Sequence, residues 1–261
     1  MKKRNLVLSV MTTCLVSCFL LSGCNGQKQI DSETVKTIKV EEQAHLKNDT
    51  VSPACKITID YSYLAESDAA DSIAQRINRP IQAHVLGKEY MRMNPEVAVD
   101  SFKKTYINNY RKDVNEFYQE DIKNGTPKDE LPTWYNYEYG LTTHFSEGKE
   151  GILNFIAETF EYTGGAHPNS WNKWMNFEKN TGKLLALKDV FMAGSEKPMS
   201  DMLLEELITE MATRLEDSSI TSLEGLQNAG ILNSTNMYVP DNFLLEKEKV
   251  SFLYNKYDIA P

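Results

Sequence analysis

Four histidines, His45, His84, His144 and His167, are the first residues to weigh for metal or acid–base chemistry. A helical zinc site needs two of them at short spacing plus a further ligand, and no H-x-x-x-H or H-x-x-E-H pair occurs. His45 lies in a polar, aperiodic stretch, and His84 falls beside Val85 on a predicted helix. His144 and His167 flank a predicted hairpin, but a metal between them would need a third ligand that the sequence does not name. No metal or other cofactor is expected. Nucleophilic chemistry is equally poorly served: there is no G-x-S-x-G elbow, and Cys55 stands in the alternating run Cys55-Lys56-Ile57-Thr58-Ile59. That pattern predicts a buried structural thiol. Asp189 could orient His167 as a hydrolytic pair, yet an acidic residue beside a turn lysine is more simply a loop cap.

The segment Tyr162-Thr163-Gly164-Gly165-Ala166-His167 follows an aromatic strand pattern, and a Gly-Gly pair there predicts a turn that bulky residues could not make. A strand rather than a helix follows it, so it is not a phosphate cradle. Thr181-Gly182-Lys183 predicts a second turn, with Leu185, Leu187, Val190 and Phe191 as an apolar plug. Trp171 and Trp174, in polar context beside the first turn, are the candidates for exposed rings that stack on sugars. Tyr135, Tyr137 and Tyr139 alternate as expected of one buried sheet face.

At the N-terminus, Lys2, Lys3 and Arg4 precede an apolar stretch over residues 5–21, and Leu21-Ser22-Gly23-Cys24 follows. This reads as a signal peptide, residues 1–23, ending in a lipobox whose Cys24 takes lipid. The expected location is therefore the exported face of a membrane in the cell envelope. Loss of three basic residues would take the formal charge from −9 to −12. An acidic chain is a poor nucleic-acid binder and attracts basic partners. With Cys14 and Cys18 in the leader and Cys24 lipidated, Cys55 is left without a disulfide partner.

Residues 24–50 read as a flexible tether. A strand over 55–63 leads to a helix with N-cap candidates Ser67 and Asp68 and a stripe of Ile73, Ile77, Ile81 and Val85, which Pro80 should kink or interrupt. Asn94-Pro95 should start a second helix running to Ile122, with Val99, Phe102, Tyr106, Tyr110, Val114 and Phe117 inward. Strands over 134–145 and 152–162 form the clearest hairpin, followed by a short strand over 171–178. Residues 199–215 form a helix with Met202, Leu203, Leu207 and Met211 inward, and a hairpin over 236–246 and 249–257 closes the chain. This order predicts an α+β fold, a mainly antiparallel sheet with helices on one face, in one globule of two halves, 51–147 and 148–261.

The order Y-T-G-G-A-H, then Thr181-Gly182-Lys183-Leu184, Leu187, Asp189, Val190 and Phe191, then Asn242-Phe243 and Tyr257-Asp258-Ile259-Ala260-Pro261 resembles a little-characterised envelope domain. It is shared by RsiV-type anti-sigma factors and the non-catalytic N-terminal part of PdaC-type deacetylases. Residues 51–147 resemble the PdaC N-terminal module and residues 148–261 the RsiV outer domain. Two departures stand out. Members usually carry a further strand after Y-x-I-A-P, so either the sequence is cut short at Pro261 or an open sheet edge is expected there. Glu246-Lys247-Glu248-Lys249 replaces a glycine-containing turn.

The resemblance implies a non-catalytic domain that binds a lysozyme-like muramidase; with the lipobox and the candidate sugar-stacking rings, the expected function is a lipoprotein that binds such a muramidase or a peptidoglycan-related glycan. Its binding face is expected around Gly164, Gly165, His167, Trp171, Trp174 and Asp189. The competing readings are an envelope-polymer hydrolase using His167 with a nearby carboxylate, and a structural accessory lipoprotein.

Overall fold

The computed structural model describes residues 6–10, 34–47, 49–66, 71–233 and 237–259. Cys24, its lipobox and the cap candidates Ser67 and Asp68 lie outside these residues. The elements are β1 (Leu6–Val10), β2 (Val35–His45), β3 (Ala54–Leu64), α1 (Ile73–Val85), α2 (Pro95–Lys123), β4 (Tyr137–Glu147), β5 (Ile152–Tyr162), β6 (Asn169–Glu178) and β7 (Leu184–Leu185). They continue as α3 (Leu187–Val190), α4 (Glu196–Leu215), α5 (Leu223–Asn228), β8 (Phe243–Leu245) and β9 (Val250–Tyr254). Hydrogen bonding orders one sheet β2-β3-β4-β5-β6-β7 and another β1-β9-β8. The fold is α+β and mainly antiparallel. The exception is the parallel pair β3–β4, with Cys55 opposite Tyr137 and Ile59 opposite Leu141. The two-helix crossover between these strands returns the chain to the end where β3 began, which forces parallel pairing.

The chain divides into two units, one of residues 32–144 and 156–173, the other of 1–31, 145–155 and 174–261. This differs from a single cut at 147, because β4, β5 and β6 each contribute to both.

In the first unit, α2 begins where Asn94 Oδ1 accepts from Glu96 N at 2.9 Å, with Pro95 at the first helical position. Its buried stripe is Ala98, Val99, Ile107, Tyr110, Val114 and Tyr118. Phe117, expected inward, is 52% exposed. Phe117 stands in line with Val99, but the buried stripe turns round the helix: at about 100° per residue Ile107, Val114 and Tyr118 lie about 60–100° from Val99, so Tyr118 takes the buried place in the last turns. α1 is capped by Ser72 and runs through Pro80 without interruption. Buried Asn78 ties it to the sheet: Oδ1 accepts from Leu64 N at 3.0 Å, and Nδ2 donates to Leu64 O at 2.8 Å.

The reading of 24–50 as a tether is corrected over 35–45. That stretch is β2, paired antiparallel with β3 from Val35 opposite Leu64 to His45 opposite Ala54. Ile38, Val40 and Ala44 do alternate, but Glu42 interrupts the apolar face. Lys103 of α2 meets that carboxylate at 2.8 Å, so the break is neutralised from outside the strand.

In the second unit, Leu203, Leu207, Leu226, Phe243, Phe252 and Tyr254 anchor the core. Met202 of α4 is 39% exposed instead of inward; it neighbours the fully buried Leu203, and adjacent helix positions lie about 100° apart. The helix α5 carries Leu226 into this core. The Glu246–Lys249 turn closes through Glu246 N donating to Lys249 O at 3.0 Å. Side-chain amides hold β8: Asn176 Nδ2 donates to Phe243 O at 2.9 Å, while its Oδ1 accepts from Leu245 N at 2.7 Å. Asn154 Nδ2 donates to Leu245 O at 3.2 Å. Asn176→Ala should orphan a buried N–H and a buried C=O and lower stability by about 2–3 kcal/mol. Denaturant unfolding checks this; a loss below about 0.5 kcal/mol would mean that β8 does not depend on the amide.

Candidate functional site

The Gly-Gly turn joins β5 to β6 in the first unit. Gly164 has φ +86°, and a Cβ there would stand 2.5 Å from Trp134 O and 3.1 Å from Trp134 Cβ. Both the backbone conformation and the close approach to the Trp134 segment require glycine. Trp134 in turn packs against Tyr135 at 4.2 Å between ring centroids and meets the exposed Phe117 ring at 5.6 Å, edge to face. Tyr135 is anchored by its hydroxyl, which donates to Asp121 Oδ2 at 2.7 Å. Burial, and then this bond, push the Tyr135 phenol up to about 12.

The chain that leaves Trp134 and the strand that enters the turn also line a shallow cleft of about 220 Å³, formed by Gln43, Lys56, Asn136, Tyr137, Glu138 and Tyr162 with Ala54. β2 supplies Gln43, β3 supplies Lys56, the start of β4 supplies Tyr137 and Glu138, and the end of β5 supplies Tyr162. Tyr137 is set by its neighbour Tyr110, 5.1 Å away between centroids. Asn136 is fixed at its oxygen, which accepts from Ala54 N at 2.9 Å. Lys56 and Glu138 stand 3.7 Å apart, both half exposed. The cleft thus presents two phenol rings, two carboxamides, an ammonium and one carboxylate. This set can accept and donate hydrogen bonds to a neutral polar ligand while packing a ring against its apolar face. Hydrolysis of a glycosidic bond ordinarily uses two carboxyl groups, and Glu138 stands alone in this lining.

The predicted residues separate. Gly164, Gly165 and His167 do share the turn, where Gly165 and His167 are exposed. His167 Nδ1 lies 3.3 Å from Pro168 O. Trp171 is half-buried, but Trp174 is buried at 8% exposure, which corrects the reading of both tryptophans as surface rings. Positions three apart on a strand face opposite sides, so the two could not share one surface. Asp189 belongs to the other unit from His167. Its carboxylate takes the capping role: Oδ1 accepts from Lys183 Nζ at 2.6 Å and Oδ2 from Ala186 N at 2.9 Å. The Lys183 bond first, then the Ala186 N–H, hold the Asp189 carboxyl below the usual range. His45 lies at the end of β2, its Nδ1 2.7 Å from Ser52 O. Cys55 is fully buried, and burial pushes its thiol up to about 12, so it is an inert core residue. Among the described residues, no group of three or more His, Cys, Asp and Glu is placed to hold a metal.

The sequence reading missed Gln43, Lys56, Asn136, Tyr137, Glu138 and Tyr162 as a set. Tyr137 was read as part of a buried sheet face with Tyr135 and Tyr139, and only Tyr162 stood at the outer end of a predicted hairpin strand, where rings escape full burial. Gln43 was hidden in the stretch read as tether.

A second depression, of about 350 Å³, lies within the other unit between Leu187, Phe191, Met192, Met199, Val239 and Asp241. The expected plug residues Leu187 and Phe191 form part of its wall. No helix among the described residues is long and apolar enough to cross a membrane.

Comparison with known proteins now places this architecture. Residues 46–170 match the family described as Deacetylase PdaC, and residues 188–261 match the protein family of unknown function DUF3298. The class is that of PdaC-like, envelope-associated α+β domains. The chain thus carries a PdaC-like region over residues 46–170 and a DUF3298-like region over residues 188–261. Its structure is similar to the crystal structure of a DUF3298 family member from Bacteroides fragilis NCTC 9343, at 29% identity and a TM-score of 0.75, over 90% of this chain and 88% of that one. A DUF3298 family protein from Pseudomonas aeruginosa PAO1 shares the fold at 15% identity and a TM-score of 0.57, over 87% and 84% of the two chains. Among curated proteins none matches.

Proposed function

We propose that the protein is an exported lipoprotein, anchored through Cys24, that binds a peptidoglycan-type glycan without catalysis in the cleft beside the Gly-Gly turn. The observation that carries this reading is the lining itself: Tyr137 and Tyr162 with Gln43, Asn136, Lys56 and Glu138 around a shallow, open depression. Sugar rings offer an apolar face and many hydroxyls and amides, which such a lining complements. The sole lining carboxylate is ion-paired with Lys56, which favours binding over hydrolysis.

Titration of the purified protein with a soluble peptidoglycan fragment should give saturable binding. Tyr162→Ala should weaken it about tenfold while leaving the melting temperature within a few degrees. Equal affinity in the variant would remove the cleft from the function. A lysozyme-like muramidase is the second reading, supported by a charge of −12 after leader removal. Binding to a lysozyme that weakens as salt rises, and that is unaffected by Tyr162→Ala, would select it instead. For the anchor, the membrane-extracted protein should carry a lipid mass on Cys24, and Cys24→Ala should abolish it. A protein without added lipid mass would sink the lipoprotein assignment.

A further inference from the structure

The small sheet of the second unit has the strand order β1-β9-β8. Its middle strand, β9, is five residues long, and one of its neighbours, β8, has only three. β8 pairs from Phe243 opposite Phe252 to Leu245 opposite Val250. The other side of β9 is taken by β1, antiparallel over all five residues, from Leu6 opposite Tyr254 to Val10 opposite Val250. β1 also packs against α4. β9 itself is that of a central strand: Ser251, Phe252, Leu253 and Tyr254 are all buried, so both of its faces are covered. A two-stranded ribbon of three and five residues is marginal in water, and a third strand is what makes such a sheet persist.

β1 lies inside the stretch read as a signal peptide. If processing at Cys24 removes residues 1–23, it takes away the whole of β1 and leaves one edge of β9 with unpaired N–H and C=O groups. Unpaired edges of this kind are templates for another strand.

We propose that the β1-facing edge of β9 is a strand-accepting site: Leu6–Val10 fills it before processing, and afterwards it takes an extended, uncharged apolar strand of a partner polypeptide, antiparallel to β9. The seated strand defines the ligand chemistry. Leu6-Val7-Leu8-Ser9-Val10 carries no charge over the paired length, and the pairing uses main-chain groups, so affinity comes from the ladder. The part that concerns the processed protein rests on Cys24 cleavage; the pairing in the unprocessed chain does not.

The test uses both forms of the protein: the membrane-extracted processed form, whose mass reports cleavage, and the full chain with Cys24→Ala. The probe is a peptide of residues 2–11, kept soluble by Lys2, Lys3 and Arg4. Amide exchange in Val250–Tyr254 should be slow in the full chain. In the processed form it should be faster by about tenfold or more, and the peptide should restore protection. The same peptide with Leu8→Pro keeps the charge but loses a ladder donor and should not restore it. Several results would overturn the proposal: equal protection in the processed monomer without peptide, protection that appears only as the protein self-associates, or equal rescue by the proline peptide. Retention of the leader in the membrane form would defeat the cleavage reading alone. The slow exchange of β9, and its loss on Leu8→Pro in the full chain, would still decide the pairing.

Discussion

Gly164→Val should lower the stability of the protein by about 3 kcal/mol or more, because two independent penalties fall on one residue. The first is conformational: φ is +86°, and a β-branched side chain is strained there whatever room surrounds it. The second is steric, since even a bare Cβ would stand 2.5 Å from the Trp134 carbonyl oxygen. Relief would require moving Trp134 off Tyr135, and with it the start of β4 that carries Tyr137 and Glu138 into the cleft. Gly164→Ala, which carries both penalties without β-branching, should lose somewhat less. Thermal unfolding of both variants checks this, together with glycan titration at a temperature where the variant is still folded. A Val variant within about 0.5 kcal/mol of the native protein would show that the turn can relocate freely, and the cleft would then be a poor candidate for a preformed site.

Alkaline unfolding is the other large effect. Tyr61, Tyr110, Tyr139 and Tyr254 are buried, and burial is the foremost cause raising each phenol above its usual value near 10. Among the described residues, Tyr61 and Tyr110 have no hydrogen-bond partner for their hydroxyls. A group whose pKa is higher in the fold than in the unfolded chain contributes its full stabilisation below the unfolded value, and that stabilisation drains as pH rises. Each tyrosine kept neutral by the fold therefore costs about 1.4 kcal/mol of stability per pH unit above about 10. Four such residues remove about 5–6 kcal/mol for each unit, comparable to the whole stability of an ordinary domain. Unfolding should thus be complete by about pH 12, with tyrosinate absorbance and loss of circular dichroism rising together. Gradual ionisation with retained dichroism would mean that these phenols reach solvent in the native state. At the acid end, the lowered pKa of Asp189 works in the opposite sense. The Lys183–Asp189–Ala186 cap contributes above the unfolded carboxylate value and is lost as pH falls below it.

Sequence periodicity alone determined most of the elements. Asn94-Pro95 marked the start of α2 to the residue, and the alternating tyrosines marked β4 as a strand with Tyr139 and Leu141 inward. The Gly-Gly pair marked a turn with positive φ at Gly164. These signals are local: a cap, a glycine and an apolar alternation act within a few residues, so they can be read in order along the chain. What could not be read was decided by partners distant in sequence. β2 looked like tether because Glu42 breaks its apolar face, and only Lys103 on α2 makes that residue acceptable in a strand. Trp171 and Trp174 looked equivalent until the pleat of β6 sent them to opposite sides. Asp189 was legible as a cap, whereas the cleft was not legible at all. Its walls come from β2, β3, β4 and β5, strands that meet only because a two-helix crossover sets β4 parallel to β3. A lining assembled from four strands has no signature in any one of them.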